Sequence, residues 1–235
     1  MDKSYQTSGE ALQGANESGD IFSKAMASVC HGIACYGCGF FEKAILHLTE
    51  GCAFCDRIKL VIFHGLAHFF LGEAYFETGN FKKAEDNYKE AIDILEHNQI
   101  IPSWKNVSKS AIARMKVINE DPDVDIEATV GYADVNKARI WDGWIRRNIG
   151  EILLNTDDQR LDEAEGWIKK AIEADSNNGT MLNLGRNYAL YAELFSRRGD
   201  PDKAVAALKK AIEVFKDCGS DGFLKRAEES LASIG

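Results

Sequence analysis

Four times along the chain an alanine is followed four residues on by a large apolar side chain and seven on by a small one. The sets are Ala44, Leu48 and Gly51; Ala84, Tyr88 and Ala91; Ala164, Ile168 and Ala171; and Ala204, Leu208 and Ala211. Steps of four and three trace one face of an α-helix, with small residues where two helices must approach closely. Upstream of each set lies a second helical stretch with its own marks: His31-Gly32 and Cys35, Leu71-Gly72 and Tyr75, Ile149-Gly150 and Leu153, Tyr191-Ala192 and Phe195. Between the two stretches falls a turn phrase, Gly39-Phe40-Phe41-Glu42-Lys43-Ala44, Gly79-Asn80-Phe81-Lys82-Lys83-Ala84 and Gly199-Asp200-Pro201-Asp202-Lys203-Ala204. A degenerate copy, Arg160-Leu161-Asp162-Glu163-Ala164, follows a longer polar turn that begins at Asn155. The alanines are spaced 40, 80 and 40 residues apart, so the chain carries a 40-residue period of helix, tight turn and antiparallel helix.

The pattern resembles the tetratricopeptide repeat, with large, small and large residues in the first helix of each unit and Ala, aromatic and Ala in the second. The resemblance implies an all-α fold, a right-handed α-solenoid of helical hairpins, and the 40-residue spacing implies longer helices or links than the usual repeat of about 34. One solenoid domain is expected over 1–235: an orphan helix of a preceding repeat at 1–18, repeats at 19–58, 59–98, 99–140, 141–180 and 181–218, and a capping helix at 219–235. The third repeat is blurred. Trp104, Val107, Ala111 and Met115 fit an amphipathic helix, Asp121-Pro122-Asp123 breaks it, and Ile126 to Ile140 is expected as its partner. In the cap, Phe223, Leu224, Ala227 and Leu231 are expected to face the array. Phrases such as Asn148-Ile149-Gly150-Glu151 and Leu184-Gly185-Arg186-Asn187-Tyr188-Ala189 also resemble the repeat-containing tail of large bacterial signalling proteins with a nucleotide cyclase or ATPase region upstream. An orphan helix at the start and a cap at the end lead to the expectation of a C-terminal piece of a longer protein.

Composition narrows the function classes. With 45% hydrophobic and 28% charged residues and only 3 prolines, the chain reads as a folded domain. Lys+Arg number 28 against 37 Asp+Glu, a net charge of -9, which disfavours nucleic acid and anionic membranes as partners. The apolar stretch Leu60 to Leu71 falls short of the roughly 20 residues that span a bilayer. The first residues lack a basic patch followed by an apolar run, so a cytoplasmic protein with reduced thiols is expected.

Metal binding is the sharpest alternative reading. Cys35-Tyr36-Gly37-Cys38 and Cys52-Ala53-Phe54-Cys55 form two CxxC pairs separated by 13 residues, with Cys30, His31 and His47 nearby. The repeat register sets the pairs about 10–20 Å apart along a hairpin, whereas shared ligands must all lie about 2.3 Å from the metal. Buried packing thiols are therefore expected, with Cys35, Cys38, Cys52 and Cys55 as the metal candidates and a thiol- or metal-based sensor over Cys30–Cys55 as the alternative. Asp121 to Asp125 mimics the start of a calcium loop but lacks its glycine and its bidentate glutamate, and reads as a helix-capping link. The histidines at 31, 47, 64, 68 and 97 form no HExxH-like motif, so core or surface roles are expected for each. No phosphate-binding glycine loop is present and no cofactor is expected.

What remains is surface chemistry. In the repeat family the first helices line a concave groove, and carrying this over position by position points to Phe69, Glu73, Phe76, Glu77, Trp144, Arg147, Glu151, Arg186, Glu193 and Arg197. Glu73, Glu151 and Glu193 occupy one equivalent position and are expected to form an acidic line, with Phe69, Phe76 and Trp144 as apolar anchors. Val29, Ile33, Phe69 and Glu73 stand where chaperone-tail-binding relatives carry Lys and Asn, so that specificity is not expected. The expected function is a non-enzymatic scaffold that takes a peptide or helix of a protein partner, as the regulatory tail of a bacterial signalling protein. The alternative in which the chain is a fragment of a cyclase or ATPase places catalysis outside these residues. An open first repeat would expose an apolar face and favour a homodimer.

Overall fold

The computed structural model describes residues 3–98, 102–121 and 124–234. Among these residues there are twelve α-helices and no strand: α1 Lys3–Ser18, α2 Ile21–Gly37, α3 Phe41–Ile58, α4 Val61–Glu77, α5 Phe81–His97, α6 Pro102–Ile118, α7 Ile126–Asp134, α8 Asp142–Thr156, α9 Leu161–Asn178, α10 Met181–Arg197, α11 Pro201–Cys218 and α12 Asp221–Ile234. Two compact units divide the chain, Met1–Ser108 and Lys109–Gly235, each an all-α helical-repeat fold. The first holds the hairpins α2–α3 and α4–α5, with α1 packed on α2 through Leu12 and Ala15. In the second, α8–α9 and α10–α11 pair, and α12 covers α11 with Phe223 and Ala227.

The periodic alanines Ala44, Ala84, Ala164 and Ala204 are fully buried, as are their partners Leu48, Tyr88 and Ile168, with Leu208 nearly so. Opposite them the first helices bring backbone rather than side chain. A Cβ on Gly72 would lie 2.5 Å from the Tyr88 ring, and one on Gly185 2.5 Å from the Phe215 ring. The long period comes from long helices: α2, α4 and α10 have 17 residues and α3, α9 and α11 have 18.

Turn chemistry fixes where these helices stop. Gly39, Gly79 and Gly199 sit in the hairpin turns with φ of 78°, 75° and 71°, a region that penalises any side chain. The joints between hairpins repeat the device at Gly19, Gly179 and Gly219, whereas Lys59 fills the equivalent place with φ 55°. Helix starts are capped by side chains: Asp20 accepts from Ser23 N, Asn80 from Lys83 N and Asp200 from Lys203 N.

The blurred repeat is where expectation and structure part. Trp104, Val107, Ala111 and Met115 are buried on α6 as their spacing requires. The following helix, expected to reach Ile140, ends at Asp134. Asn136 folds the chain there, its Nδ2 donating to the Ala138 carbonyl and to Asp142 Oδ1, and Val135 and Ile140 are left exposed. Asp125 caps α7 by accepting from Ala128 N, while Pro122 and Asp123 of the calcium-like phrase lie outside the described residues.

Candidate functional site

In the first unit the expected contact residues lie on α4, and half of them point inward. Phe69 and Glu73 are fully buried. Glu73 Oε2 accepts from the Tyr36 hydroxyl at 3.0 Å and Oε1 from the Tyr88 hydroxyl at 2.7 Å, so the carboxyl joins α4 to α2 and α5. This corrects the expectation of an acidic surface line through Glu73, because the two tyrosines supply inside the unit the hydrogen bonds that water would otherwise give. Phe76 and Glu77 are half-buried at the end of α4, and Phe76 packs against Phe81 with ring centroids 5.7 Å apart.

In the second unit α8 and α10 bring six of the expected residues together. Trp144 and Arg147 are buried, and the Arg147 guanidinium lies 5.3 Å from the Trp144 ring while Nη1 donates to Asn183 Oδ1 at 3.2 Å. Arg186 is half-buried, with its guanidinium 5.9 Å from the Trp144 ring and 5.3 Å from the Phe223 ring. Glu151 is half-buried beside Arg114, whose Nη1 lies 3.8 Å from its Oε2. Burial pushes the Glu151 carboxyl above the usual range, Arg114, Arg147 and Arg186 pull it back down, and Glu193 adds to the rise. Arg197 closes the face by donating to the Leu154 carbonyl and Asn155 Oδ1, each at 2.6 Å, and to Glu193 Oε1 at 2.8 Å. The result is a set of charged groups already oriented by aromatic faces and hydrogen bonds, which lose little freedom on contact with a partner.

Cys35, Cys38, Cys52 and Cys55 are all buried free thiols, and the remaining two cysteines are free as well. Burial pushes the thiols of Cys35 and Cys55 to about 11 and that of Cys52 to about 12, so none is a ready nucleophile at neutral pH. The four candidate cysteines do not converge. Among the described residues, the Cys/His/acidic groups whose ligand atoms lie within 4.8 Å are His31, Cys35 and His47, and Cys52, His64 and His68. Cysteine spacing misses both groups, and the signal that could have found one is the four-residue step from His64 to His68, a single helical face.

His31 stands between α1 and α3. Ser8 Oγ donates to the Tyr5 carbonyl at 3.1 Å, so it accepts from His31 Nδ1 at 2.9 Å, and the His47 ring meets the His31 ring edge-on at 4.7 Å. Burial lowers both imidazoles below the usual value, with His47 and Lys43 adding to the effect on His31, and Glu50 opposing that of Lys43 on His47. A depressed folded value means stability that is present above about pH 6.5 and lost as pH falls through the folded value. Urea midpoints should therefore drop between about pH 7 and pH 5, and His31→Gln with His47→Gln should shrink that drop; an undiminished drop would place its origin elsewhere.

Tetratricopeptide-repeat family models match residues 142–217 and residues 65–98. The chain thus carries these repeats in each of its two units. No curated protein matches it. Among solved structures, the crystal structure of BtubC (BKLC) from P. vanneervenii is similar at 14% identity, with 99% of this chain and 89% of that chain covered and a TM-score of 0.39. No helix among the described residues is long and apolar enough to cross a membrane.

Proposed function

We propose that the chain is a non-enzymatic protein-interaction scaffold whose contact face in the second unit is formed by α8 and α10. Tetratricopeptide repeats suggest the scaffold role in general terms, and the observation that carries the face is Arg186. A half-exposed guanidinium lies against the Trp144 and Phe223 rings, with Glu151 and Glu193 acting on the same cluster. Preordered Arg–aromatic groups of this kind dominate binding energy in protein interfaces. Phe76 and Glu77 offer a half-buried aromatic and acidic contact on α4 of the first unit. A peptide or helix carrying both an acidic group, for Arg186 and Arg197, and a basic one, for Glu151 and Glu193, is the partner that fits. Membership of a larger bacterial signalling protein, a cytoplasmic location and pairing into a homodimer belong to this same reading. A thiol sensor is less favoured, because the buried thiols are held protonated.

The test is Arg186→Ala combined with Glu193→Lys. Both side chains reach solvent, so far-ultraviolet circular dichroism should be unchanged while capture of the cognate protein falls at least about tenfold, the scale of one interface hot spot. Undiminished capture by a fully helical variant would remove α8 and α10 as the contact face.

A further inference from the structure

The geometry points to a zinc-type metal site formed by Cys52 of α3 with His64 and His68 of α4. The three ligand atoms lie within 4.8 Å of one another, and His64 and His68 are one helical turn apart on α4. Their Nε2 atoms are 3.2 Å apart. Two imidazoles on one tetrahedral zinc, each about 2.0–2.1 Å from it, have nitrogens about 3.3 Å apart, so this edge of the tetrahedron is already built.

Lone-pair direction agrees. Asn87 Nδ2 on α5 donates to the Lys83 carbonyl at 2.8 Å, which turns Oδ1 to His68, where it accepts from Nδ1 at 2.9 Å. His68 therefore carries its proton on Nδ1 and a free pair on Nε2, facing His64. A carbonyl acceptor on the second ring nitrogen is the usual outer support of a metal-bound histidine. Without a cation, neutral His64 donates its single ring proton from Nε2 to that pair. On binding, the cation takes the place of this proton, which leaves to solvent while Nδ1 takes one up from solvent, so His64 changes tautomer and stays neutral. Cys52 contributes sulfur from the neighbouring hairpin and releases its thiol proton to solvent on binding. Thiolate with two imidazoles suits zinc, and water completes the tetrahedron. The charge of Glu90 on α5 acts on all three groups, with Asp56 assisting and Lys59 opposing it at His64. At His31, Cys35 and His47 the ammonium of Lys43 acts on all three groups, and Glu50 opposes it at His47 alone. The first group is therefore the better surrounded for a cation.

The experiment uses the full chain, reduced and stripped with a chelator. Zinc is titrated in competition with a chromophoric chelator, and cobalt(II) serves as a spectroscopic stand-in. The expected result is one zinc per chain and a cobalt spectrum with tetrahedral bands and a thiolate charge-transfer band. Cys52→Ser should remove the charge-transfer band, Asn87→Ala should weaken zinc about 10–100-fold, and Cys35→Ser should change neither. If Cys52→Ser loses helical signal, half-exposed His64→Gln takes its place, with loss of the tetrahedral bands expected. Failure to displace the chelator would overturn the site and leave a plain imidazole–imidazole hydrogen bond. A charge-transfer band that survives Cys52→Ser, or vanishes with Cys35→Ser, would overturn it as well.

Discussion

Glu73→Ala should lower the stability of the chain by about 2–4 kcal/mol, read as a fall in the urea midpoint of the helical signal. The side chain is wholly buried, and its two oxygens receive the hydroxyls of Tyr36 and Tyr88. Truncation removes both hydrogen bonds at once and leaves a void among three helices. Glu73→Gln keeps the volume and one carbonyl acceptor, and a tyrosine hydroxyl can turn to accept from the new amide, so its loss should stay near 1 kcal/mol. An alanine variant within about 0.5 kcal/mol of the parent would show that the carboxyl is not a structural tie.

The second large effect concerns Gly143 and Asp175. A Cβ on Gly143 would lie 2.2 Å from the Asp175 carboxylate. That carboxylate cannot swing away, since it accepts from the Thr180 hydroxyl and from Asn187 Nδ2. Gly143→Ala gains about 1 kcal/mol of helix propensity but must break this cluster or distort the backbone, for a net loss of about 2 kcal/mol. Asp175→Ala alone should cost a similar amount through the lost hydrogen bonds. In the double variant the new methyl group occupies the space the carboxylate left, so the combined loss should be clearly less than the sum. Additive losses, measured by the same urea titration, would mean that the contact between the two positions is not what makes either change harmful.

Much of the fold can be read from short phrases. Ala84, Tyr88 and Ala91 predict the buried face of α5, and Gly79 predicts the turn before it, because both follow from local geometry that tertiary packing leaves alone. The α7 boundary is different. Nothing in the composition of Ile126 to Ile140 announces that the Asn136 side chain will fold the chain back on Asp142. The candidate site divides along the same line. Glu73, Glu151 and Glu193 hold equivalent places in the repeat, yet Glu73 is inside because Tyr36 and Tyr88 happen to offer hydroxyls there. A helix position says which neighbour a side chain meets, but the chemistry of that neighbour decides whether a charge stays in water. His64 and His68 could have been paired on their spacing alone; that Cys52 and Asn87 join them needed the hairpins in three dimensions.

Lys59 gives the joint between α3 and α4 a mechanical character that the glycine joints lack. A left-handed backbone costs an L-residue about 1–2 kcal/mol and glycine almost nothing, and the exposed ion pair of Lys59 with Asp56 at 3.0 Å is too weak to offset that. Opening this joint returns the strain, while opening at Gly19, the glycine joint of the same unit, returns none. The strain thus lowers the cost of parting α3 from α4, and a cation held by Cys52, His64 and His68 would act as a rivet across that seam.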